Sequence, residues 1–166
     1  SGKMKNYDSR YMFMKLGYNL RMSDIASSMG IEQIKKLDGI NEIRRLNAKY
    51  LSNILKKFNN HVYIPETSSD NLCAYYGYPF LVKNNKLRNK FASYLEENNI
   101  ETRSIMGGCL PDQPAFENQV HRISGELINS KRIKDGAIFI GIHSALNKKN
   151  LDYIADKFDT FFANNN

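Results

Sequence analysis

A polar turn near the amino end carries the residues with the clearest chemistry. The stretch LGYNLRMSDI, Leu16 to Ile25, presents the amide of Asn19, the guanidinium of Arg21 and a Ser-Asp pair that can cap a helix. The first N–H groups of a helix lack partners within it and therefore favour an anion. An amide and a guanidinium beside them can add charge-assisted hydrogen bonds. The turn indicates phosphate binding, and an ordinary loop with a capped helix is the alternative that these residues leave open.

His143 and the two cysteines of the chain are further candidates for chemistry. His143 follows an apolar run that predicts a buried strand, and pockets commonly open at strand ends. Cys73 and Cys109 have neither a CxxC spacing nor the Cys/His spacing of a zinc site. We therefore expect two reduced structural thiols and no metal site.

Composition excludes several classes of protein. The chain has 166 residues, 42% of them hydrophobic and 25% charged, which suits one globular core. The basic residues behind the net charge of +7 are spread along the chain, most of them on the polar faces of predicted helices, and no basic-aromatic motif of nucleic-acid binders accompanies them. Neither a membrane span nor a secretory signal is present in the sequence, so we expect a cytoplasmic protein.

The elements that must position these residues begin with helices. Apolar spacing predicts a first helix from Ser23 to Leu37, a break at Asp38 and Gly39, and a second helix from Ile40 to Phe58. Short β-like runs follow at 61–64 and 72–82, and Pro79 is expected to interrupt or bend the second.

Helices and strands then alternate to the end of the chain. We predict a helix ending at Asn98, a strand over 100–106, an irregular loop over 107–116 and a short helix over 126–133. The run 137–142 predicts a buried strand, and a terminal helix follows. The order indicates an α+β layer, a small sheet covered by helices and preceded by a helical arm.

Several stretches resemble one enzyme family. The segment LGYNLRMSDIASSMGIEQIKKLDGINEIRRLNAKY is similar to the GYN-x-[RK]-x-x-D turn and GLxQLxKL helix of the DegT/DnrJ/EryC1/StrS family, pyridoxal-phosphate-dependent sugar aminotransferases and dehydratases. NNIETRSI and QPAF continue the likeness, which covers nearly the whole chain.

Within the family, the resemblance is closest to the nucleotide-linked 4-keto-6-deoxyhexose 3-dehydratases. GGCLPDQPAF, ISGELINSKRI and IFIGIHSALNKKNLDYI are similar to their GGNL-x-x-QPAY, GELTNTDRI and FWIG-x-x-PGL-x-x-x-x-LDYV segments. Three departures are Cys109 in place of Asn, Lys131 in place of an acidic residue, and HSAL in place of a PGL turn.

The resemblance implies the C-terminal small domain of the aspartate aminotransferase fold, fold type I, with a mostly antiparallel sheet. Residues 1–22 would then be a remnant of the large cofactor domain, 23–58 a helical arm and 59–166 the small α+β domain. Family members work as homodimers whose active sites are shared between subunits.

The resemblance also implies roles for individual residues. Asn19 matches the asparagine that reaches the phosphate of pyridoxal or pyridoxamine phosphate held by the neighbouring subunit. Arg21 is expected to face the diphosphate of a nucleotide-diphosphate sugar, and Gln113 to line the substrate pocket; a surface arginine and an ordinary loop glutamine are the alternatives. His143 is the remaining substrate-binding candidate.

One family feature has no counterpart here. The Schiff-base lysine of the aminotransferases, and the histidine that replaces it in the dehydratases, lie well upstream of the GYN turn. We therefore expect this chain to be the C-terminal portion of a longer enzyme, to hold no catalytic residue and to be inactive alone. The expected enzyme is a 3-dehydratase of deoxysugar and surface polysaccharide biosynthesis, including lipopolysaccharide. A sugar aminotransferase and a stand-alone binding or dimerisation module are the alternatives.

Overall fold

A long helix opens the described part of the chain. The computed structural model describes residues 18, 20–66 and 72–165. Helix α1 spans Asp24–Leu55, and a 3₁₀ turn, Lys56–Phe58, follows it. The Oγ of Ser23 accepts a hydrogen bond from the N–H of Ala26 at 3.3 Å, so the predicted cap is confirmed.

The predicted break at Asp38 and Gly39 is wrong. Helix α1 continues through both residues, which are exposed. A glycine within an exposed helix costs only about 1 kcal/mol relative to alanine, and the apolar pattern stays in phase on either side of it. The chain divides into two compact units, Ser1–Leu37 and Asp38–Asn166, and this division falls inside α1. The domain boundaries predicted from the sequence stay predictions.

The first unit exposes the apolar stripe of its helix. Ile25, Met29, Ile34 and Leu37 are all exposed large hydrophobic residues. Contiguous apolar patches on a protein surface mark interaction sites. The sequence pattern predicts this stripe, and the described residues do not bury it.

The second unit contains a four-stranded sheet in which every pairing is antiparallel. Its strands are β1 (Val62–Tyr63), β2 (Gly77–Val82), β3 (Thr102–Ser104) and β4 (Ala137–Gly141), in the order β1-β2-β4-β3. The predicted small antiparallel sheet is therefore confirmed.

Pro79 does not interrupt β2. It lies in the middle of the strand, opposite Phe139 of β4. Strand β1 pairs only with Leu81 and Val82, so the part of β2 that contains Pro79 has one strand neighbour among the described residues. Proline is tolerated where one side of a strand makes no ladder hydrogen bond.

Among its described residues, the second unit has three further α-helices: α2 (Asn85–Glu97), α3 (Ile128–Gly136) and α4 (Lys148–Ala163). Asn84 caps α2 by accepting from the N–H of Lys86 at 3.2 Å. Asn147 and Asn150 cap α4 reciprocally in a capping box. Among the described residues, no helix is both long enough and apolar enough to cross a membrane.

Aromatic packing holds α2 and α4 on one face of the sheet. The ring of Phe158 lies 4.8 Å from that of Phe91 and 5.1 Å from that of Phe80, centroid to centroid, and all three side chains are buried. Phe161 and Phe162 extend this cluster along α4. Edge-to-face pairs at these distances stabilise a core beyond their buried area, by about 0.5–1.5 kcal/mol each.

The buried hydroxyl of Tyr78 gives one test of this core. It lies 2.7 Å from the Oγ of Ser52, and burial raises the pKa of Tyr78 to about 12. Ser52→Ala leaves that hydroxyl unsatisfied, so we expect a loss of about 1–3 kcal/mol in the free energy of unfolding. Urea denaturation of S52A, Y78F and the double variant measures this. The double variant should lose less than the sum of the single losses; strict additivity would show that the two hydroxyls do not interact.

A carboxylate between α1 and α4 gives a second test. Asp152 accepts from the Nζ of Lys148 at 2.8 Å and from the hydroxyl of Tyr50 at 2.5 Å, and these hydrogen bonds hold its pKa below the ordinary 3.8. A lowered pKa in the folded state means that the ionised carboxylate stabilises the fold above pH 3.8 and that this stabilisation is lost as the pH falls through the lowered pKa.

Asp152→Asn should therefore lower the melting temperature at pH 7 and have little effect near pH 2. Asp156→Asn is the matched control, because its ion pair with Lys157 stays within α4. If Asp152→Asn lowers the melting temperature by the same amount at pH 7 and pH 2, the stabilisation does not come from the ionised carboxylate of Asp152.

Candidate functional site

The polar turn before α1 is only partly described. Asn19, the residue predicted to hold a cofactor phosphate, lies outside the described residues. Arg21 is exposed, as is Asp24 in the first turn of α1. Ser23 caps the helix, and the first N–H groups of any helix have no partner within it. The described part of the turn is thus a capped helix start with the guanidinium of Arg21 and the carboxylate of Asp24 close to it in sequence.

The loop 107–116 holds Gln113 between two 3₁₀ turns, Leu110–Asp112 and Pro114–Phe116. The Nε2 of Gln113 donates to the carbonyl oxygen of Gly107 at 3.0 Å and so closes the loop on itself. Gly107 has a φ of 74°, in the left-handed region that favours glycine. Gln113 is exposed, which is compatible with a residue that lines a binding surface.

An ion pair fixes this loop on α3. The Nζ of Lys134 donates to Asp112 at 2.5 Å, and this hydrogen bond lowers the pKa of Asp112 and raises that of Lys134. Gly108 packs so closely that a Cβ there would lie 3.0 Å from the Cγ of Lys134. Cys109, which follows Gly108, is a buried free thiol, as expected of a structural cysteine. Gln113 is therefore held by a loop with a defined backbone.

His143 lies where β4 ends, as the sequence predicts. Its Nδ1 accepts a hydrogen bond from the N–H of Ala145 at 3.0 Å. An acceptor Nδ1 in a neutral imidazole leaves the proton on Nε2, so His143 keeps one ring donor. The carbonyl oxygen of His143 also accepts from the N–H of Leu146 at 3.0 Å, which tightens the turn.

His143 borders a cleft of about 300 Å³ on the sheet face opposite the aromatic core. We call it the open-face cleft. Its other main lining residues come from α1, the segment before β2, β3 and β4: Arg44, Tyr76, Arg103, Phe139 and Gly141.

The sheet register explains why these residues meet. Arg103 of β3 pairs with Phe139 of β4, which pairs with Pro79 of β2. Directly opposed residues of antiparallel strands present their side chains on the same face. Because Ile138 and Ile140 are buried in the core, Phe139 between them faces the other way, toward the cleft.

The predicted site residues that the structure describes belong to two different compact units. Arg21 belongs to the first unit, whereas Gln113 and His143 belong to the second and make their side-chain hydrogen bonds within their own turns. Arg44, Tyr76 and Arg103 also line the cleft but are not among the predicted site residues. Arg44 and Arg103 stand in family-like stretches, yet their proximity depends on long-range strand pairing that those stretches do not reveal.

Metal-binding groups are not assembled. In the part of the chain that the structure describes, no group of three or more His, Cys, Asp or Glu side chains could hold a metal ion. Cys73 and Cys109 are both free thiols, and Cys73 is exposed rather than structural.

Curated relatives match nearly the whole chain. This chain is 32% identical over 163 residues to the lipopolysaccharide biosynthesis protein RfbH of Salmonella typhimurium. The match covers 97% of this chain and 37% of that protein. The chain is 26% identical to the dTDP-4-dehydro-2,6-dideoxy-D-glucose 3-dehydratase of Saccharopolyspora spinosa, covering 95% of this chain and 34% of that enzyme. The chain thus spans little more than a third of the length of the relatives it matches.

Solved structures of the same family have the same fold. The structure of a GDP-4-keto-6-deoxy-D-mannose 3-dehydratase of E. coli with bound hydrated PLP matches 92% of this chain and 39% of its own, with a TM-score of 0.73 and 22% sequence identity. This likeness confirms the predicted fold class. The model of the DegT/DnrJ/EryC1/StrS aminotransferase family matches residues 1–159. The chain belongs to the DegT/DnrJ/EryC1/StrS aminotransferase family.

Proposed function

We propose that this chain is the C-terminal portion of a PLP-dependent enzyme that removes the 3-hydroxyl of a nucleotide-linked 4-keto-6-deoxyhexose. The observation that carries the proposal is the match across nearly the whole chain to RfbH and to a 3-dehydratase. The enzyme would act in deoxysugar and lipopolysaccharide biosynthesis in the cytoplasm. Alone, the chain would be inactive.

A sugar aminotransferase is the second candidate. The matching family is named for aminotransferases, so membership in it does not distinguish dehydration from transamination. By the family pattern, a histidine at the Schiff-base position favours dehydration and a lysine favours transamination. That position has no motif match in this chain.

The residues present fit the phosphate end of the cofactor. Ser23 caps the start of α1, and the first N–H groups of a helix are donors of the kind that bind phosphate. Asn19 stands five residues before Asp24, the first residue of α1, and adds a side-chain amide. Bound pyridoxal or pyridoxamine phosphate supplies an electron sink for carbanion chemistry. The groups that hold its ring would come from polypeptide outside this chain, so the amide of Asn19 would hold and orient a phosphate oxygen only.

Substrate contacts are proposed for three side chains. Arg21, which is exposed, would pair with the diphosphate of the nucleotide sugar, and Gln113 would line the sugar pocket from its anchored loop. His143 would donate from Nε2 at the end of β4.

The exposed stripe of α1 supports assembly as a homodimer with shared active sites. Ile25, Met29, Ile34 and Leu37 form an apolar surface that further polypeptide, from the same enzyme or its partner, would cover. The same stripe would serve a stand-alone dimerisation module. That alternative predicts a folded protein with no affinity for PLP and a coding sequence without an upstream cofactor domain.

The coding sequence upstream of Ser1 separates these candidates. We expect it to continue in frame and to carry a histidine at the cofactor-lysine position. With a 4-keto-6-deoxyhexose nucleotide and pyridoxamine phosphate, the intact enzyme should release a sugar that lacks the 3-hydroxyl, as detected by mass spectrometry. A lysine together with an amino-sugar product would overturn the dehydratase assignment, and a frame without any cofactor domain would overturn the enzyme assignment.

Asn19→Ala tests the phosphate contact in the intact enzyme. Removing a hydrogen bond to a charged group costs about 1.5–3 kcal/mol, so the dissociation constant of PLP should rise roughly 10- to 150-fold. Absorbance titration with PLP measures it. Asn53→Ala, an exposed asparagine on α1, is the control and should bind PLP like the unaltered enzyme. Equal affinities of the two variants would contradict the role of Asn19.

A further inference from the structure

The loop that carries Gln113 is shaped by hydrogen bonds within itself. The N–H groups of Gly108, Asp112 and Gln113 each donate to the carbonyl oxygen three residues earlier, at 3.0–3.1 Å. The side chain of Gln113 also donates within the loop, to the carbonyl oxygen of Gly107. Bonds of this kind set the conformation of a loop but do not fix its position relative to the rest of the unit. That position depends on contacts with other elements.

Asp112 makes a side-chain contact outside the loop. Its carboxylate accepts a hydrogen bond from the Nζ of Lys134 on α3 at 2.5 Å. Because this hydrogen bond lowers the pKa of Asp112 and raises that of Lys134, both groups are charged at neutral pH. Gln113 follows Asp112 directly in the chain. A movement of Asp112 therefore moves Gln113 as well.

Lys134 is itself held close to the sheet. It lies two residues before Gly136, the last residue of α3, and β4 begins at the next residue. A Cβ on Gly136 would lie 2.9 Å from the carbonyl oxygen of Val82, so the end of α3 packs directly on the backbone of β2. Lys134 also packs on the loop, since a Cβ on Gly108 would lie 3.0 Å from its Cγ and 3.4 Å from its Cα. A continuous path of contacts thus runs from the sheet through α3 to the loop.

The ion pair contributes to the position of the loop more than to overall stability. The side chains of Lys134 and Asp112 are 40% and 34% exposed. Ion pairs at such exposure are screened by solvent and add little to the free energy of unfolding. Their geometry still orders the groups they join, because a charge-assisted hydrogen bond restricts both side chains. The sequence does not mark this pair, since its members stand 22 residues apart.

We propose that Lys134 is a positioning residue for Gln113. By holding Asp112 against α3, it keeps the Gln113 amide at one place on the surface where the proposed enzyme binds its sugar substrate. The inference rests on the proposed function only for that substrate contact. The anchoring of the loop follows from the contacts of Lys134 itself, so the two parts have separate tests.

Hydrogen exchange of the 166-residue chain, followed by NMR, tests the anchor without substrate. Lys134→Met keeps an unbranched side chain and removes the charge. It should speed the exchange of the N–H groups of Asp112 and Gln113 at least roughly threefold and leave those of β4 unchanged. Lys134→Arg keeps a cationic donor and should exchange like the unaltered chain. Lys149→Met, which removes an exposed lysine of α4 instead, is the control and should have no effect.

Kinetics of the intact enzyme with the 4-keto-6-deoxyhexose nucleotide test the consequence for the substrate. Gln113→Ala should raise KM roughly three- to tenfold at unchanged kcat, as expected when a hydrogen bond made equally in the ground and transition states is lost. Lys134→Met should raise KM by a similar or smaller factor, with little change in kcat or melting temperature, and Lys134→Arg should restore KM. The double variant should not exceed Gln113→Ala alone, because Lys134 acts through Gln113.

Unchanged exchange rates in Lys134→Met would overturn the inference whatever reaction the enzyme catalyses. Effects on KM that multiply in the double variant would also overturn it, as would an unaltered KM for Lys134→Met beside a raised KM for Gln113→Ala. An unaltered KM for Gln113→Ala would overturn the substrate contact of Gln113, which belongs to the proposed function, and the positioning role with it. The variants thus separate failure of the anchor from failure of the proposed substrate contact.

Discussion

The antiparallel pairing of β2 with β4 decides which side chains enter the core and which face the cleft. Tyr78 pairs with Ile140 and Phe80 with Ile138, and all four side chains are buried. The residues between them alternate to the opposite face. A register shift of one residue would exchange the two sets, so the aromatic core and the open-face cleft depend on the same hydrogen-bond ladder.

Local signals in the sequence were sufficient for most elements of the second unit. The apolar stripe of α4, the run that became β4 and the asparagines that end α2 were all predicted, because periodicity and end signals act within a few residues. The predicted break at Asp38 and Gly39 is wrong because their weak helix propensity is outweighed by an apolar pattern that continues on both sides.

The candidate site was harder to predict than the fold. The end of an apolar strand is a local feature and indicates His143, whereas the family resemblance helps to indicate Asn19, Arg21 and Gln113. The partners of His143 in the cleft come from separate elements, Arg44 from α1 and Arg103 from β3. Only the strand order and register place them together, and single-sequence patterns do not specify either.

This chain would contribute only part of the chemistry of the proposed enzyme. The relatives it matches are almost three times as long as this chain. The residues that contact the cofactor ring would therefore lie in polypeptide outside the third of the enzyme that this chain matches. The central claim is that the Asn19 amide binds the phosphate of PLP held by a neighbouring subunit. A crystal structure of the intact enzyme with PLP tests it most directly. We predict the Asn19 Nδ2 at about 2.9 Å from a phosphate oxygen across the subunit interface. An Asn19 side chain buried within its own subunit, with no cofactor phosphate in reach, would contradict the account.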